Sequence, residues 1–216
     1  EIKDFVEGLS DLNANVIRAI GDPKTRFEED HLRMLRAIRF SATLGFDIHA
    51  LTLNAIIHLA PMVASVAAER IQMELKRTFV EGDPVKGHAL LMISGVLDII
   101  LPELAGQSQA VVSASLGAYK STYFGEVLAL LAPEVPSNSV PSLVAAVGDR
   151  LKLSREDRET FTYCLAQRSR INRTVETASK LRFIREPHFD GFARVERARR
   201  HALGHSTSLI DSLIEL

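Results

Sequence analysis

Residues 17–46 read IRAIGDPKTRFEEDHLRMLRAIRFSATLGF. From Arg26 onward apolar side chains recur three and four apart, at Leu32, Leu35, Ile38 and Ala42. That stripe is what a helix needs to bury one face. The turn Gly21-Asp22-Pro23 ends any preceding element. Glu28, Glu29 and Asp30 then crowd the expected helical start, where the helix dipole favours acids. Behind them Arg33, Arg36 and Arg39 follow at three-residue intervals. Side chains three apart lie about 60° round from one another, so Asp30, Arg33, Arg36 and Arg39 trace a slow spiral over roughly 13 Å of axis. A nucleoside triphosphate is of comparable length.

One end of this spiral offers a carboxylate beside a guanidinium, and the rest offers guanidinium groups suited to gripping phosphate. Cytosine and adenine both carry an exocyclic amine next to a ring nitrogen acceptor. An Asp accepts from the amine while an Arg donates to the ring nitrogen. Guanine and uracil place a carbonyl oxygen where the amine would be, so the same Asp meets a lone pair. A paired contact of this kind discriminates by about 1–3 kcal/mol. The alternative is structural: the arginines pair with Glu28, Glu29 and Glu74 and brace the fold.

Outward from this stretch the periodicity stays helical. Residues 52–59, 67–80 and 116–131 each read as helix, 96–101 as a short apolar segment ending at Pro102, and Pro84 stands where a first-turn proline belongs. Pro133, Pro136, Ser137, Asn138, Ser139 and Pro141 form the clearest loop and a subdomain boundary. Ser154 caps a helix over 155–167 with Asp157 three residues on. Further helices are expected over 174–183 and 189–203. Nothing reads as a sheet. The expected fold is all-α, packed helices with short loops and no regular repeat.

The chain has 216 residues, a formal net charge of -1, 46% apolar and 25% charged residues. Those values suit a globular protein large enough to bury a core. No run of about 18 apolar residues exists for a membrane span, and no signal peptide is evident. The single Cys164 excludes an internal disulfide and a Cys-based metal site, which fits a reducing, cytoplasmic setting. The seven histidines suggest no metal site. Between residues 150 and 200 bases outnumber acids, and Arg194, Arg197, Arg199 and Arg200 crowd one segment. That asymmetry suits a polyanion such as RNA, or else a solvated helical face.

Residues 17–40 resemble the neck segment of the class II tRNA nucleotidyltransferases. That family has an I-R-x-I/V-G-D/N-P turn followed by R-F-x-E-D-x-L-R-x-L-R-A-x-R-F. Two flanking stretches extend the likeness. Residues 4–12, DFVEGLSDL, are similar to the family's head-to-neck connector, with Glu7 in place of the first Gly. Residues 68–75 carry Glu69-Arg70-Ile71 and Glu74-Leu75, like its later E-R-I-x-x-E-L helix. The resemblance implies that Asp30 and Arg33 read the base of CTP or ATP, that Arg36 and Arg39 hold the triphosphate, and that Glu29, Arg70 and Glu74 support this template.

It further implies a division into a connector end at 1–20, a neck at 21–82, a body at 83–135 and a helical tail at 136–216 that binds tRNA. The family's catalytic carboxylates, a D-x-D strand holding Mg2+, have no counterpart here, and neither does an initiator Met. The expectation is therefore a head-less piece of a CCA-adding enzyme, without catalytic residues or turnover of its own. CC-adding and A-adding enzymes, a bacterial poly(A) polymerase and a non-catalytic helical RNA-binding module are the alternatives.

Overall fold

The computed structural model describes residues 3–104, 106–119, 123–171 and 177–215. It divides into two compact units, Glu1–Pro102 and Glu103–Leu216. Helices dominate both, as the periodicity requires.

The first unit opens with α1 (Gly8–Asn13) and a short strand β1 (Val16–Ile17). The Asp4 carboxylate accepts from the N–H groups of Gly8 and Leu9 and so caps α1. After the Gly21 turn come α2 (Pro23–Glu29) and α3 (Leu32–Leu44). The continuous helix expected from Arg26 to Leu44 is in fact broken at Asp30. The break has a local cause. Asp30 adopts extended backbone, and its Oδ1 accepts from the Leu32 N–H, 3.1 Å away, which is one of the orphan donors of a new helix. Glu28 and Glu29 therefore end α2 and do not begin α3. The dipole disfavours acids there. Arg26, bonded to Glu29, offsets that.

Beyond α3 a second short strand, β2 (Asp47–Ile48), pairs in parallel with β1, Val16 against Asp47 and Ile17 against Ile48. Two-residue strands carry no alternation, so periodicity could not announce them. Then come α4 (Ala50–Leu59), a 3-10 segment (Ala60–Ser65) and α5 (Ala68–Lys76), which runs into a π-helical turn (Arg77–Glu81). Asp83 caps α6 (Pro84–Ile93) on the Val85 and Lys86 N–H groups, with Pro84 in the first turn as expected. Gly95, with φ +72°, separates α6 from α7 (Val96–Ile100). Helix α3 lies at the centre, packed by α5, the π turn and α6. Its stripe Leu32, Leu35, Ile38 and Ala42 is buried, with Met34.

The second unit holds α8 (Gln109–Ala118), α9 (Phe124–Leu131), α10 (Val140–Leu151), α11 (Arg155–Arg170), α12 (Thr177–Ile184), α13 (Phe189–Ala202) and α14 (Ser208–Ile214). Every residue of α9 is buried, between α11, α13 and α8. The single helix expected over 116–131 is thus two, and residues 120–122 lie outside the described ones. Tyr119 leaves the helical conformation, and its phenol bonds to the Tyr123 carbonyl and the Glu126 carboxylate, stapling the corner. Pro141, expected in a loop, sits in the first turn of α10, where its missing N–H does no harm. Ser154 caps α11 on the Asp157 N–H at 3.1 Å, as its spacing suggested. The expected start at 174 of the next helix lies outside the described residues, as does Arg173.

Lys152 closes α10 with φ +51°, a left-handed conformation that glycine adopts without steric penalty. Lys152→Gly is expected to stabilise the unit by about 1 kcal/mol, a rise of roughly 4 °C or more in Tm. A thermal melt showing a fall would mean that the lysine side chain outweighs the strain.

Candidate functional site

A cleft of about 470 Å³ opens on the first unit. One wall is the segment from Ile17 to Ile20, and the other is formed by α2 and α3 through Arg26, Phe27, Asp30, Arg33, Arg36, Ala37 and Phe40. Main-chain bonds hold the first wall in place. The His49 N–H donates to the Ile17 carbonyl, and the Ala19 N–H donates to the hydroxyl of buried Thr52 on α4. The rim is cationic, with Arg18, Arg26, Arg33 and Arg36, and the lining between is apolar.

Asp30 stands at the α2–α3 break and points its second carboxylate oxygen at Arg70 Nη2 on α5, 3.2 Å away. Partial burial works against its charge. The Leu32 N–H and the Arg70 guanidinium overcome that and hold the carboxyl below the usual Asp range. Arg33 turns back along α2. Its Nη1 donates to the Arg26 carbonyl at 2.8 Å and to Glu29 Oε2 at 2.5 Å. Bonding to Arg33, and then the charges of Arg26 and Arg33, lower the Glu29 carboxyl in turn. Arg36 is exposed, with no carboxylate partner among the described residues. Arg39 leaves the cleft. Its Nε bonds to Glu74 Oε2 at 2.6 Å, and both side chains are nearly buried.

The structure therefore brings Asp30, Arg33 and Arg36 together in one cleft and turns Arg39 inward. The three residues expected to support them each hold a member of the set: Glu29 holds Arg33, Arg70 holds Asp30, and Glu74 holds Arg39. The pairing named in the structural alternative is present for Arg33 and Arg39, but not for Arg36. Sequence reasoning gave Arg18, Arg26 and Phe40 no role in the site. Arg18 reaches the cleft only through the β1–β2 pairing, and no helical spacing could reveal that.

The basic excess of residues 150–200 looks different in three dimensions. Arg150 bonds to Glu103, Arg158 to Asp149, Arg194 to Glu126, Arg197 to Asp211 and Arg199 to Glu134. All five acids lie outside that stretch. Arg199 and Arg200 also converge on Glu196, whose carboxylate is fully buried, and are themselves 15% and 13% exposed. Arg194 and Arg197 are more open, at 41% and 61%. They line a small basic cleft with His201 and Thr207. Arg168 is buried too. It donates to the carbonyls of Ala129, Ala132 and Pro133 and so caps the end of α9, while burial pushes its pKa down to about 10. Among the described residues no three His, Cys, Asp or Glu side chains are grouped to hold a metal ion. No helix among them is long and apolar enough to cross a membrane.

Part of the chain has close counterparts. A stretch of 77 residues is 51% identical to the CCA-adding enzyme of Leuconostoc mesenteroides, covering 36% of this chain and 19% of that protein. The chain is similar to the CCA-adding enzymes. The Streptococcus gordonii CCA-adding enzyme is 39% identical over 106 residues, 49% of this chain and 26% of that protein. The matched stretch is thus about a quarter or less of these relatives' length. Residues 45–107 match a family described as the probable RNA and SrmB- binding site of polymerase A. The Bacillus stearothermophilus CCA-adding enzyme, solved in complex with CTP, shares the fold at a TM-score of 0.69 and 23% identity. That match covers 99% of this chain and 53% of that one. A tRNA nucleotidyltransferase complexed with a primer tRNA and an incoming ATP analog matches at 0.75 and 17%, over 98% and 64%. The all-helical fold and the resemblance read from residues 17–40 both stand.

Proposed function

We propose that this chain is the nucleotide-selecting and tRNA-holding part of a tRNA nucleotidyltransferase that adds CCA to the tRNA 3′ end from CTP and ATP. The observation that carries it is the cleft placing an ionised Asp30 and the Arg33 guanidinium beside an exposed Arg36. Asp30 accepts from the exocyclic amine of cytosine or adenine, Arg33 donates to the ring nitrogen, and Arg36 meets phosphate. For this the two resting ion pairs, Arg33 with Glu29 and Asp30 with Arg70, loosen as the base arrives. Arg39 acts from behind through Glu74.

The finer division into connector, neck, body and tail belongs to the same reading, as does a cytoplasmic setting. Mg2+ would assist attack of the tRNA 3′ hydroxyl on the α-phosphate. Among the described residues no three His, Cys, Asp or Glu side chains are grouped to hold it. No catalytic step is assigned to this chain.

Joining the chain to the head of the Leuconostoc relative and supplying CCA-less tRNA, CTP and ATP tests the reading. Tails ending in CCA are expected. Tails of A alone would favour a poly(A) polymerase instead, the reading that the polymerase A likeness of residues 45–107 supports.

The tRNA surface is assigned to the open arginines. Arg194→Ala with Arg197→Ala is expected to weaken tRNA binding and to lower its log–log salt slope by about 2, since each duplex phosphate contact contributes roughly 0.9. An unchanged slope in a salt titration would move the tRNA to another face.

A further inference from the structure

Around the cleft, guanidinium groups mostly have carboxylate partners. Arg18 pairs with Asp11, and both Arg26 and Arg33 pair with Glu29. Arg36 has none among the described residues, and a long side chain so placed would wander. What bounds it is an aromatic ring one turn further along α3. The Arg36 Cζ lies 5.9 Å from the centroid of Phe40, near the outer limit for a cation over a π face.

That ring is itself fixed. Arg39 sits 4.0 Å over it, and Arg39 is anchored by the buried Glu74 carboxylate at 2.6 Å. A line of restraint therefore runs from Glu74 through Arg39 to Phe40 and on to Arg36. Two cations near one ring repel each other. Glu74 neutralises the inner one and leaves the outer one wanting an anion on the cleft side. Phe40 lines the cleft, so this demand faces the ligand space.

We propose that Phe40 is a positioning residue that presents Arg36 to the phosphates of a nucleoside triphosphate, an assignment that rests on the function proposed above. It makes no demand on the base, so its influence falls equally on all four triphosphates and spares the Asp30 and Arg33 end.

The test is an NMR titration of the 216-residue chain with three probes: CTP, inorganic tripolyphosphate and cytidine. Phe40→Leu keeps apolar volume and removes the π face. It is expected to weaken CTP and tripolyphosphate about twofold to fivefold, and to leave cytidine unchanged. In an Arg36→Ala background Phe40→Leu should add nothing, because residues acting through one another are not additive. Phe40→Trp, which retains a π face, should bind tripolyphosphate at least as well as the parent.

Full additivity of the two losses would overturn the proposal. So would an Arg36→Ala loss with no Phe40→Leu loss. Should Phe40→Leu fail to fold, the Trp variant decides: retained binding supports the proposal, and lost binding overturns it. A different failure belongs to the cleft assignment itself. If Arg36→Ala leaves tripolyphosphate binding intact, the phosphates lie elsewhere and both readings fall.

Discussion

Replacing Asp30 by Ala in the nucleotidyltransferase proposed above is expected to collapse a preference for CTP and ATP over UTP and GTP by roughly fivefold to a hundredfold. That range corresponds to the about 1–3 kcal/mol that a paired hydrogen-bond contact contributes to choosing a base. Total incorporation should fall less, since Arg36 and the cationic rim remain. The prediction rests on geometry. Asp30 is the acid lining the cleft beside Arg33, and its neighbours keep it ionised and acceptor-only. Loss of the cap on the Leu32 N–H would cost about 1 kcal/mol of stability, so folding must be checked alongside. Asp30→Asn separates the two effects. It retains an oxygen for the cap and turns a donor toward the base, which should raise acceptance of UTP and GTP. Single-nucleotide incorporation with all four triphosphates gives the answer, and unchanged selectivity in folded variants would end the template assignment.

Glu196→Ala should be strongly damaging to the second unit, with a loss of about 3 kcal/mol. The Glu196 carboxylate is fully buried and holds Arg199 and Arg200 at 2.9 and 2.8 Å. Removing the buried acid breaks its ion pairs with both arginines in a place where little water reaches them. A unit of this size should lose roughly 10 °C or more in Tm. Glu196→Gln retains acceptor oxygen and shape and should lose less. A melt unchanged by the Ala variant would show that both arginines relax to solvent at no cost. The same cluster dictates how RNA binding should be probed. Substituting Arg199 or Arg200 perturbs the core, and so does substituting Arg194, the partner of buried Glu126, whereas Arg197 can be changed with less disturbance.

What the sequence revealed tracks the range of the forces involved. Helix α3 was legible because Leu32, Leu35, Ile38 and Ala42 encode its buried face locally. The cap at Ser154 was visible for the same reason, a side chain bonding three residues along. The break at Asp30 was not, since an Asp inside an apolar period looks the same whether it faces outward or takes over a backbone N–H. The expected helix over 116–131 failed similarly, because the Tyr119 staple depends on Glu126 being buried. Charge was the least legible. A window of sequence counts Arg150, Arg158, Arg194, Arg197 and Arg199 as surplus, while the fold brings Glu103, Asp149, Glu126, Asp211 and Glu134 to them from outside it. In the candidate site, the expected Asp30, Arg33 and Arg36 share one cleft, while Arg39 faces Glu74, a pairing that the structural alternative had named. Spacing by threes rotates each successive side chain further round the axis, so the last of the series has left the cleft.

The two-residue ladder between β1 and β2 has an effect beyond its size. It closes a ring of chain that contains both α2 and α3, and with the Ala19–Thr52 bond it fastens the Ile17–Ile20 wall through peptide groups. Peptide groups hydrogen-bonded in this way have few conformations left to lose. A ligand entering between that wall and α3 meets a slot already set to width, and the entropy it must surrender to order the protein is confined to side-chain tips such as Arg36. Affinity there is governed by preorganisation of the backbone, and discrimination between ligands by the few rotamers left free.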